Sequence, residues 1–148
     1  MKLIIREIKT PEDLIKIFKL RIEVFTFEQN CPIEEEFDKY DNINSETIQF
    51  IVENVGECIG TARITFYPNN KIKIERVCVK KDKRKLRVGS KIMMKLHSVL
   101  IQRNIKQVEI SAQIYAINFY QKLGYIEEGD HYIEAGIEHI KMKKSLTN

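Results

Sequence analysis

The sequence predicts a single α+β domain of three layers, in which helices flank a mixed, mostly antiparallel sheet. The chain has 148 residues, a length that suits one hydrophobic core. Residues 47–79 have the pattern of three antiparallel strands joined by turns at 55–57 and 68–70. A strand–helix–strand unit over 71–112 then requires one parallel crossover within the sheet. The predicted element order is β-α-β-β-β-α-β-α-β-β.

The elements follow from local patterns along the chain. A first strand at 3–8 precedes a helix that begins at Thr10 and Pro11, where a threonine N-cap and a proline at the first helical position are followed by two acids. Apolar residues at helical spacing extend this helix to about residue 28. An acidic loop (31–45) and three strands follow, at 47–54, 58–67 and 71–79. The later elements are a helix at 88–103, a strand at 107–112, a helix at 115–124 that ends on Gly124, and strands at 125–128 and 137–143.

Composition narrows the class of protein. No apolar run approaches the ~20 residues that a membrane span needs, and the N-terminus turns polar after five residues, too early for a signal peptide. The three cysteines show neither metal-ligand nor disulfide spacing. We therefore expect a cytoplasmic protein with no metal and no membrane partner. The net charge of +4 is too small to indicate nucleic-acid binding by itself.

A basic turn joins the third meander strand to the next helix. Residues 79–91 read VKKDKRKLRVGSK, and seven of these thirteen are cations. A strand that runs into a helix N-terminus offers unpaired N–H groups and a positive dipole end to an anion. Gly89 would let the backbone approach a phosphate, and Arg84, Lys85 and Arg87 could contact a polyphosphate. The alternatives are a solvated charge run or a nucleic-acid patch, and the second is weakened because no aromatic residues interleave with the cations.

Three segments, in order, resemble one family. ARITF…KIKIERVCVKKDKRKLRVGSKIMMKL (62–96) resembles the core motif of the GNAT N-acetyltransferase superfamily, in which a V-x-V strand runs into R/Q-x-x-G-x-G/A and a helix. AINFYQKLGY (116–125) is similar to that superfamily's A-x-x-x-Y-x-K-x-G-F signature. Together with residues 20–41 and 129–142, the pattern resembles the ElaA/YjcF-like branch. The resemblance implies the GNAT acyl-CoA N-acyltransferase fold and acetyl transfer from acetyl-CoA to a primary amine of a small molecule or a protein.

The resemblance also implies where the cofactor acetyl-CoA lies. The strand would pair with the pantetheine arm and the turn would hold the pyrophosphate. The residues so implied are Val77, Cys78, Val79, Arg84, Lys85, Leu86, Arg87, Val88, Gly89, Ser90, Gln113, Phe119 and Tyr120. Arg87 stands where the family usually has its first glycine, so a positive φ there would cost ~1–2 kcal/mol unless its guanidinium binds a phosphate. Gln113 stands where many relatives carry asparagine.

Acetyl transfer requires a neutral amine, a polarised thioester carbonyl and a proton for the departing thiolate. A backbone N–H near 77–79 would polarise the carbonyl. Tyr120 resembles the family tyrosine near the CoA sulfur and is the candidate acid, unless it merely packs. Glu75 is a candidate base through water or else a structural ion-pair partner, with Arg76 expected on the opposite face of the strand. His139 is a second candidate base, unless its role is packing.

The acceptor side is expected from residues 21–41 and the last hairpin. The candidate contacts are Arg21, Phe25, Glu28, Gln29 and Glu134. The acids at 34–41 would attract a cationic amine, or would form a solvated loop with Arg21 in a surface salt bridge.

Direct transfer is expected, because no cysteine is paired with histidine in a recognisable motif, and Cys78 is expected to be a small buried hydrophobe. Two alternatives remain open at this level: an enzyme similar to the acyl-homoserine-lactone synthases, and a non-catalytic module that binds acyl-CoA or nucleic acid. A homodimer through the exposed end strand is also open.

Overall fold

The computed structural model describes residues 2–147, and its elements follow the predicted order. The strands are β1 (Ile4–Glu7), β2 (Ile48–Asn54), β3 (Glu57–Tyr67), β4 (Lys71–Val79), β5 (Gln107–Gln113), β6 (Ile126–Glu134) and β7 (Ile137–Ser145). The helices are α1 (Pro11–Arg21), α2 (Val88–Gln102) and α3 (Ile117–Lys122). Short 3₁₀ turns lie at Ile33–Glu35, Lys81–Leu86 and Ile114–Ala116. No helix within the described residues is long and apolar enough to cross a membrane.

The strands form one sheet in the order β1-β2-β3-β4-β5-β7-β6. All neighbours are antiparallel except β4 and β5, which are parallel and are joined through α2. The predicted mixed sheet with one parallel crossover is confirmed. The last strand of the chain is not at the edge, because β7 lies between β5 and β6. A dimer through an exposed end strand therefore stays a prediction that concerns β6 or β1.

The first helix is longer than α1. Thr10 caps it as predicted, since its Oγ1 accepts a hydrogen bond from the Asp13 N–H at 3.1 Å, and Pro11 occupies the first turn. After Arg21 the chain continues as a π-helix, Ile22–Glu28, so the predicted end near residue 28 is confirmed. A π-helical segment is rare and is often found at functional sites.

The final hairpin corrects the prediction of a loop over residues 129–136. Ala135 and Gly136 have φ values of +52° and +77°, as a two-residue hairpin turn requires. β6 therefore extends to Glu134. Every residue of β6 is exposed, so the strand carries no apolar alternation from which its length could be predicted.

The two faces of the sheet bury different helices. On one face, α2 packs Val88, Ile92, Met93, Leu96 and Leu100, all fully buried, into the main core. On the other face, Leu20 and Val24 of the first helix cover Cys78. We call these the α2 face and the α1 face. Alternation along a strand sends neighbouring side chains to opposite faces, which places Ile110 and Ile140 in the main core and Ser111 and His139 on the α1 face.

His97 is a buried histidine on α2. Its Nε2 lies 2.7 Å from the Tyr125 hydroxyl, and its side chain is almost inaccessible. Burial, together with the charge of Lys144, lowers the pKa of His97 from 6.5 to about 4. The folded protein therefore holds the neutral imidazole, because a buried cation without a carboxylate partner is costly.

This histidine predicts a specific loss of stability in acid. Between about pH 6.5 and pH 4 the unfolded chain binds a proton that the folded chain does not, so the free energy of unfolding falls as the pH is lowered through this window. When the pH is lowered from about 7 to about 4.5, the free energy of unfolding should fall by about 1–3 kcal/mol less in His97→Gln than in the wild type. Urea unfolding at the two pH values measures this difference. The exposed His131→Gln should behave as the wild type. Equal losses in the wild type and His97→Gln would contradict this account.

Candidate active site

A cleft opens where β4 and β5 separate. The two strands pair only at Lys73 and Glu109, and beyond that register they diverge. The cleft has a volume of about 410 Å³ and is lined from β4, β5 and the chain segments on either side. Predicted residues that line it are Phe25, Gln29, Glu75, Val77, Gln113, Tyr120, Glu134 and His139. These eight are among the 22 residues that line the cleft, and their roles there stay predictions.

A β-bulge in β4 shapes one wall of the cleft. The pairing of β4 with β3 shifts between Thr61 and Arg63, and Arg76 takes a left-handed φ of +56°. Glu75 contacts Arg63, and Arg76 approaches Asp38, which also contacts Arg63. Glu75 and Arg76 therefore share the α1 face. The prediction that Arg76 points to the opposite face is wrong, because the bulge interrupts the strand's alternation.

Arg21 lies behind the cleft and not in it. Its side chain is fully buried, and its guanidinium carbon lies 5.3 and 5.5 Å from the ring centroids of Phe18 and Phe37. The guanidinium donates to Glu36 Oε1 at 2.7 Å, to the Glu36 carbonyl at 2.8 Å, and to both carboxylate oxygens of Asp41 at 2.6 and 3.0 Å. Both the predicted acceptor contact and the alternative of a surface salt bridge are wrong for this residue, because its side chain has no exposed surface and four of its five N–H donors are bonded inside the protein.

Arg63 is the second buried arginine. It donates to Asp38 at 2.7 and 3.0 Å, to Asp41 at 3.0 Å, and to Glu75 at 3.0 and 3.1 Å. Burial alone would lower the pKa of Arg63, but these carboxylates hold it above its usual range. For the carboxyl group of Asp41, burial by itself would raise the pKa. The hydrogen bonds and charge of Arg21 more than offset the effect of burial and hold the pKa of Asp41 well below its usual range. Three acids of the 31–45 loop, Glu36, Asp38 and Asp41, thus bind arginines, while Glu34 and Glu35 are exposed.

Glu75 has the contacts of an ion-pair partner. Its Oε1 accepts from Arg63 and from the Thr65 hydroxyl at 2.7 Å, and its Oε2 accepts from the Tyr67 hydroxyl at 2.7 Å. Burial raises the pKa of Glu75, but Arg63 and the two hydroxyls hold it below its usual range. A carboxylate with both oxygens occupied and a lowered pKa is a weak proton acceptor.

Tyr120 enters the cleft from the α2 face. It begins the last turn of α3 and packs edge-on against Phe119 and Tyr125, with ring centroids 5.0 and 5.7 Å away. Burial raises the pKa of Tyr120 above its usual range, so the phenol stays protonated near neutral pH. Its hydroxyl makes no hydrogen bond within residues 2–147, and so remains available.

His139 enters the cleft from the α1 face. Its Nδ1 lies 2.6 Å from the Ile137 carbonyl oxygen, which can only accept, so Nδ1 carries the proton and Nε2 bears the lone pair of the neutral ring. The Nε2 atom lies 3.8 Å from Glu134 Oε2, and the ring stacks on Tyr132. The cleft therefore receives a phenol hydroxyl from one face of the sheet and an imidazole nitrogen from the other.

A chain of amide side chains crosses the rim of the cleft. Gln113 at the end of β5 donates through Nε2 to Gln29 Oε1 at 2.9 Å, and Gln29 Nε2 donates to the Tyr115 hydroxyl at 3.2 Å. The Gln113 Oε1 atom is buried and accepts no hydrogen bond within the described part of the chain. Such an orphaned acceptor suits a site that a ligand completes.

The basic turn does not line the cleft directly. Arg84 donates through Nε to the Val79 carbonyl at 3.0 Å and through Nη2 to Glu28 Oε1 at 2.8 Å, while its Nη1 contacts Glu28 Oε2. This pair ties the basic turn to the end of the π-helix. The predicted cofactor contact of Arg84 and the acceptor contact of Glu28 are thus replaced, in this structure, by a contact between the two side chains. Lys85 and Leu86 are exposed in the same turn.

Arg87 and Gly89 open α2. Arg87 has φ +58° and ψ +29°, so the position does require a left-handed residue, as its place in the motif suggested. α2 has no side-chain cap and no acid in its first turn, which leaves its N-terminal N–H groups to an outside partner. Gly89 packs against Phe119, where an added Cβ would lie 3.3 Å from the ring, and Ser90 beside it is half-buried.

Three predicted cofactor residues have side chains that cannot contact a ligand. Val79 and Val88 are buried in the main core, and Cys78 is buried beneath the first helix, as expected of a small hydrophobe. Any role for these three residues therefore belongs to their backbone.

Sequence reasoning missed several lining residues, among them Cys31, Tyr67, Lys73, Ser111 and Tyr115. The signal for Lys73 was present, since it lies two residues before Glu75 on the same face of β4. No group of three or more potential metal ligands occurs among residues 2–147.

Comparison with known proteins assigns the family. A family model described as an acetyltransferase (GNAT) domain matches residues 14–146. The uncharacterized N-acetyltransferase YjcF of Bacillus subtilis is 34% identical over 137 residues, which cover 92% of this chain and 95% of YjcF. The crystal structure of Escherichia coli ElaA is 28% identical with a TM-score of 0.85, covering 97% and 99% of the two chains. This chain belongs to the GNAT acetyltransferase family and has the GNAT acyl-CoA N-acyltransferase fold.

A more distant structure supports the same fold. An aminoglycoside 6'-N-acetyltransferase complexed with coenzyme A superposes with a TM-score of 0.78, at 16% identity and 98% coverage of each chain. At this identity the likeness shows the fold alone.

The buried arginine pair predicts a large cost for one substitution. Arg21→Met would leave the buried Glu36 carboxylate without its bonded arginine and would reduce the arginine partners of Asp41 from two to one, so the free energy of unfolding should fall by about 3–5 kcal/mol in urea denaturation. The control Arg103→Met removes an exposed arginine and should change the free energy of unfolding by less than about 0.5 kcal/mol. A loss in Arg21→Met no greater than in the control would contradict the structural role of Arg21.

The left-handed Arg87 predicts a stabilising substitution. Arg87→Gly should raise the free energy of unfolding by about 1 kcal/mol, because glycine adopts this φ without the Cβ clash. Lys85→Gly in the same turn, at a position without positive φ, should lower it by about 0.5–1 kcal/mol. Thermal unfolding of both variants measures the difference, and a destabilised Arg87→Gly would refute strain at this position.

Proposed function

We propose that this protein transfers an acetyl group from acetyl-CoA to a primary amine, by direct transfer within a ternary complex. The observation that carries the proposal is the cleft between β4 and β5, where the Tyr120 phenol and the imidazole of His139 enter from opposite faces of the sheet. Acid and base are the two functions that such a transfer asks of an enzyme.

The residues present fit acetyl-CoA. The strand β4 has no ladder partner from β5 beyond Lys73, so its backbone can pair with an extended ligand. The uncapped start of α2 at Gly89 can receive phosphate, and Gln113 offers an unused buried acceptor. When bound, acetyl-CoA would supply the acyl group as an activated thioester. The backbone of residues 77–79 is the candidate donor toward a thioester oxygen.

Tyr120 is the proposed general acid. Burial keeps its proton on Oη, and a phenol is close in basicity to a departing thiolate. Phe119 and Tyr125 hold the ring from two sides, which fixes the direction of the hydroxyl.

His139 is the proposed base, in preference to Glu75. Its protonated Nδ1 is fixed by the Ile137 carbonyl, which leaves Nε2 to take a proton from the acceptor amine. Glu134 lies near enough to stabilise the resulting imidazolium. Glu75 is instead engaged with Arg63 and two hydroxyls, and would act by holding the wall of the cleft.

A cysteine intermediate has little support. Cys31 lines the cleft, but burial raises the pKa of its thiol, and burial raises that of Cys78 much further. The thiolate is the nucleophilic form, so both are poorly suited to acyl transfer at neutral pH. The three cysteines are free, which fits a reducing compartment such as the cytoplasm.

The proposal is tested by binding and by turnover. Calorimetry should give micromolar affinity for acetyl-CoA, and thiol release should follow on addition of a suitable primary amine. Tyr120→Phe should lower kcat by about a hundredfold or more with little change in affinity for acetyl-CoA. Tyr40→Phe, which alters a hydroxyl outside the cleft, should retain wild-type kcat.

The outcomes separate the alternatives. Binding of acetyl-CoA without thiol release from a broad amine panel would indicate a non-catalytic acyl-CoA-binding module. Absence of binding would end the transferase proposal. Release of a lactone from an acyl donor and S-adenosylmethionine would instead indicate a lactone synthase.

A further inference from the structure

Two cations on β4 line the cleft with unused hydrogen-bond donors. Lys73 has a side chain only 18% exposed, and its nearest carboxylate oxygen is Glu75 Oε2 at 3.9 Å. That distance is beyond a hydrogen bond, and the same oxygen already accepts from Tyr67. The Lys73 ammonium is therefore partly desolvated without a bonded carboxylate.

Arg76 is the second such cation. Its contacts are long, at 3.3 Å to the Glu36 carbonyl and 3.5 Å to the Glu35 carbonyl. The nearest carboxylate oxygens, on Glu36 and Asp38, lie at 3.5 and 3.6 Å. By contrast, Arg21 and Arg63 reach the same two acids at 2.7 Å. These acids are bonded to the buried arginines, which leaves the Arg76 guanidinium under-used at the surface of the cleft.

Both cations share the α1 face with the proposed base. Lys73 and Glu75 lie two residues apart, and the bulge brings Arg76 to the same side. Lys73 of β4 pairs with Glu109 of β5, and Gln113, four residues further along β5, pairs with His139 of β7. Arg76 is three residues beyond Lys73 on the parallel strand, so Arg76 and His139 lie at similar heights along the sheet. Only β5 separates β4 from β7, which sets the two backbones roughly 10 Å or more apart.

The α1 face of the cleft is thus bipolar. On the β7 side, Glu134 is 52% exposed beside His139 and can attract an ammonium group. On the β4 side, Lys73 and Arg76 can bind an anion by charge-assisted hydrogen bonds. Of the loop acids, Glu36, Asp38 and Asp41 are bonded to Arg21 and Arg63 and so contribute less negative charge to the mouth of the cleft.

We propose that the acceptor is a primary amine that also carries an anionic group, a carboxylate or a phosphate, bound by Lys73 and Arg76 while its amine lies at His139. This inference rests on the proposed function, because it specifies the acceptor of the same site. The separation of the two ends favours an anion several bonds away from the amine.

Wild-type acceptor preference gives the first test. Thiol release is compared for β-alanine, γ-aminobutyrate and ε-aminocaproate against propylamine, butylamine and hexylamine, and for phosphoethanolamine against ethanolamine. The anionic member of a pair should have a kcat/KM about tenfold or more above its neutral partner. The preference within the carboxylate pairs, compared with that within the phosphoethanolamine pair, shows which of the two anionic groups the site binds. Equal or better use of the neutral amines throughout would overturn the proposal.

Substitutions give the second test. Lys73→Gln and Arg76→Gln should each raise KM for the preferred anionic acceptor by about tenfold, with kcat and the KM of the neutral partner changed less than about twofold. Lys73→Arg keeps the positive charge and should retain most of the wild-type affinity for the anionic acceptor. Lys71→Gln is the matched control, since Lys71 lies on the same strand and face but outside the cleft. An equal rise for anionic and neutral acceptors would mean that these cations only support the wall.

Direct binding separates this proposal from that of catalysis. The same acceptor pairs are titrated against the wild type in the presence of coenzyme A by calorimetry or ligand-observed NMR. Selective binding of the anionic amines without thiol release would refute the transferase while retaining the anion site. Thiol release with neutral or polycationic amines, and no binding of any anionic member, would refute the anion site while retaining the transferase.

Discussion

The separation of β4 from β5 is the constraint on which the rest of this structure depends. Two parallel strands have no hairpin turn to fix their spacing, because their connection runs through α2. They meet at Lys73 and Glu109 and then part. The gap exposes strand backbone in the middle of a sheet and brings side chains from both faces into one cleft. An antiparallel pair with a full ladder would have closed this space.

The ion network around Arg21 and Arg63 follows from that opening. The β4 wall loses its neighbour, and the loop at 31–45 and the first helix cover it on the α1 face. Burying arginine is costly unless its hydrogen bonds are made, and here Glu36, Asp38, Asp41 and Glu75 accept most of them. The acids therefore serve to order the loop against the sheet. A stretch that looks like a solvated acidic loop in the sequence is in fact a bonded part of the wall.

The two faces of the sheet support different tasks in the proposed reaction. Tyr120, Phe119 and the start of α2 belong to the apolar α2 face, where burial keeps a phenol protonated. His139, Glu134, Lys73 and Arg76 belong to the polar α1 face. The cleft can therefore hold the proposed acid, carried by α3, in an apolar setting and the proposed base, carried by β7, in a charged one.

Local patterns in the sequence determined the element order, the Thr10 cap, the parallel crossover and some of the residues that line the cleft, because caps, periodicity and family motifs are properties of short segments. The tertiary structure alone decided the direction of Arg76, the burial of Arg21 and the pairing of Arg84 with Glu28. The direction of Arg76 depends on a β-bulge, which is a shift in the pairing register between β3 and β4. The sequence of β4 alone does not reveal that shift. Arg21 and Arg84 meet partners up to 56 residues away, and the choice between a free charge and a bonded one is made only when those partners come together in space.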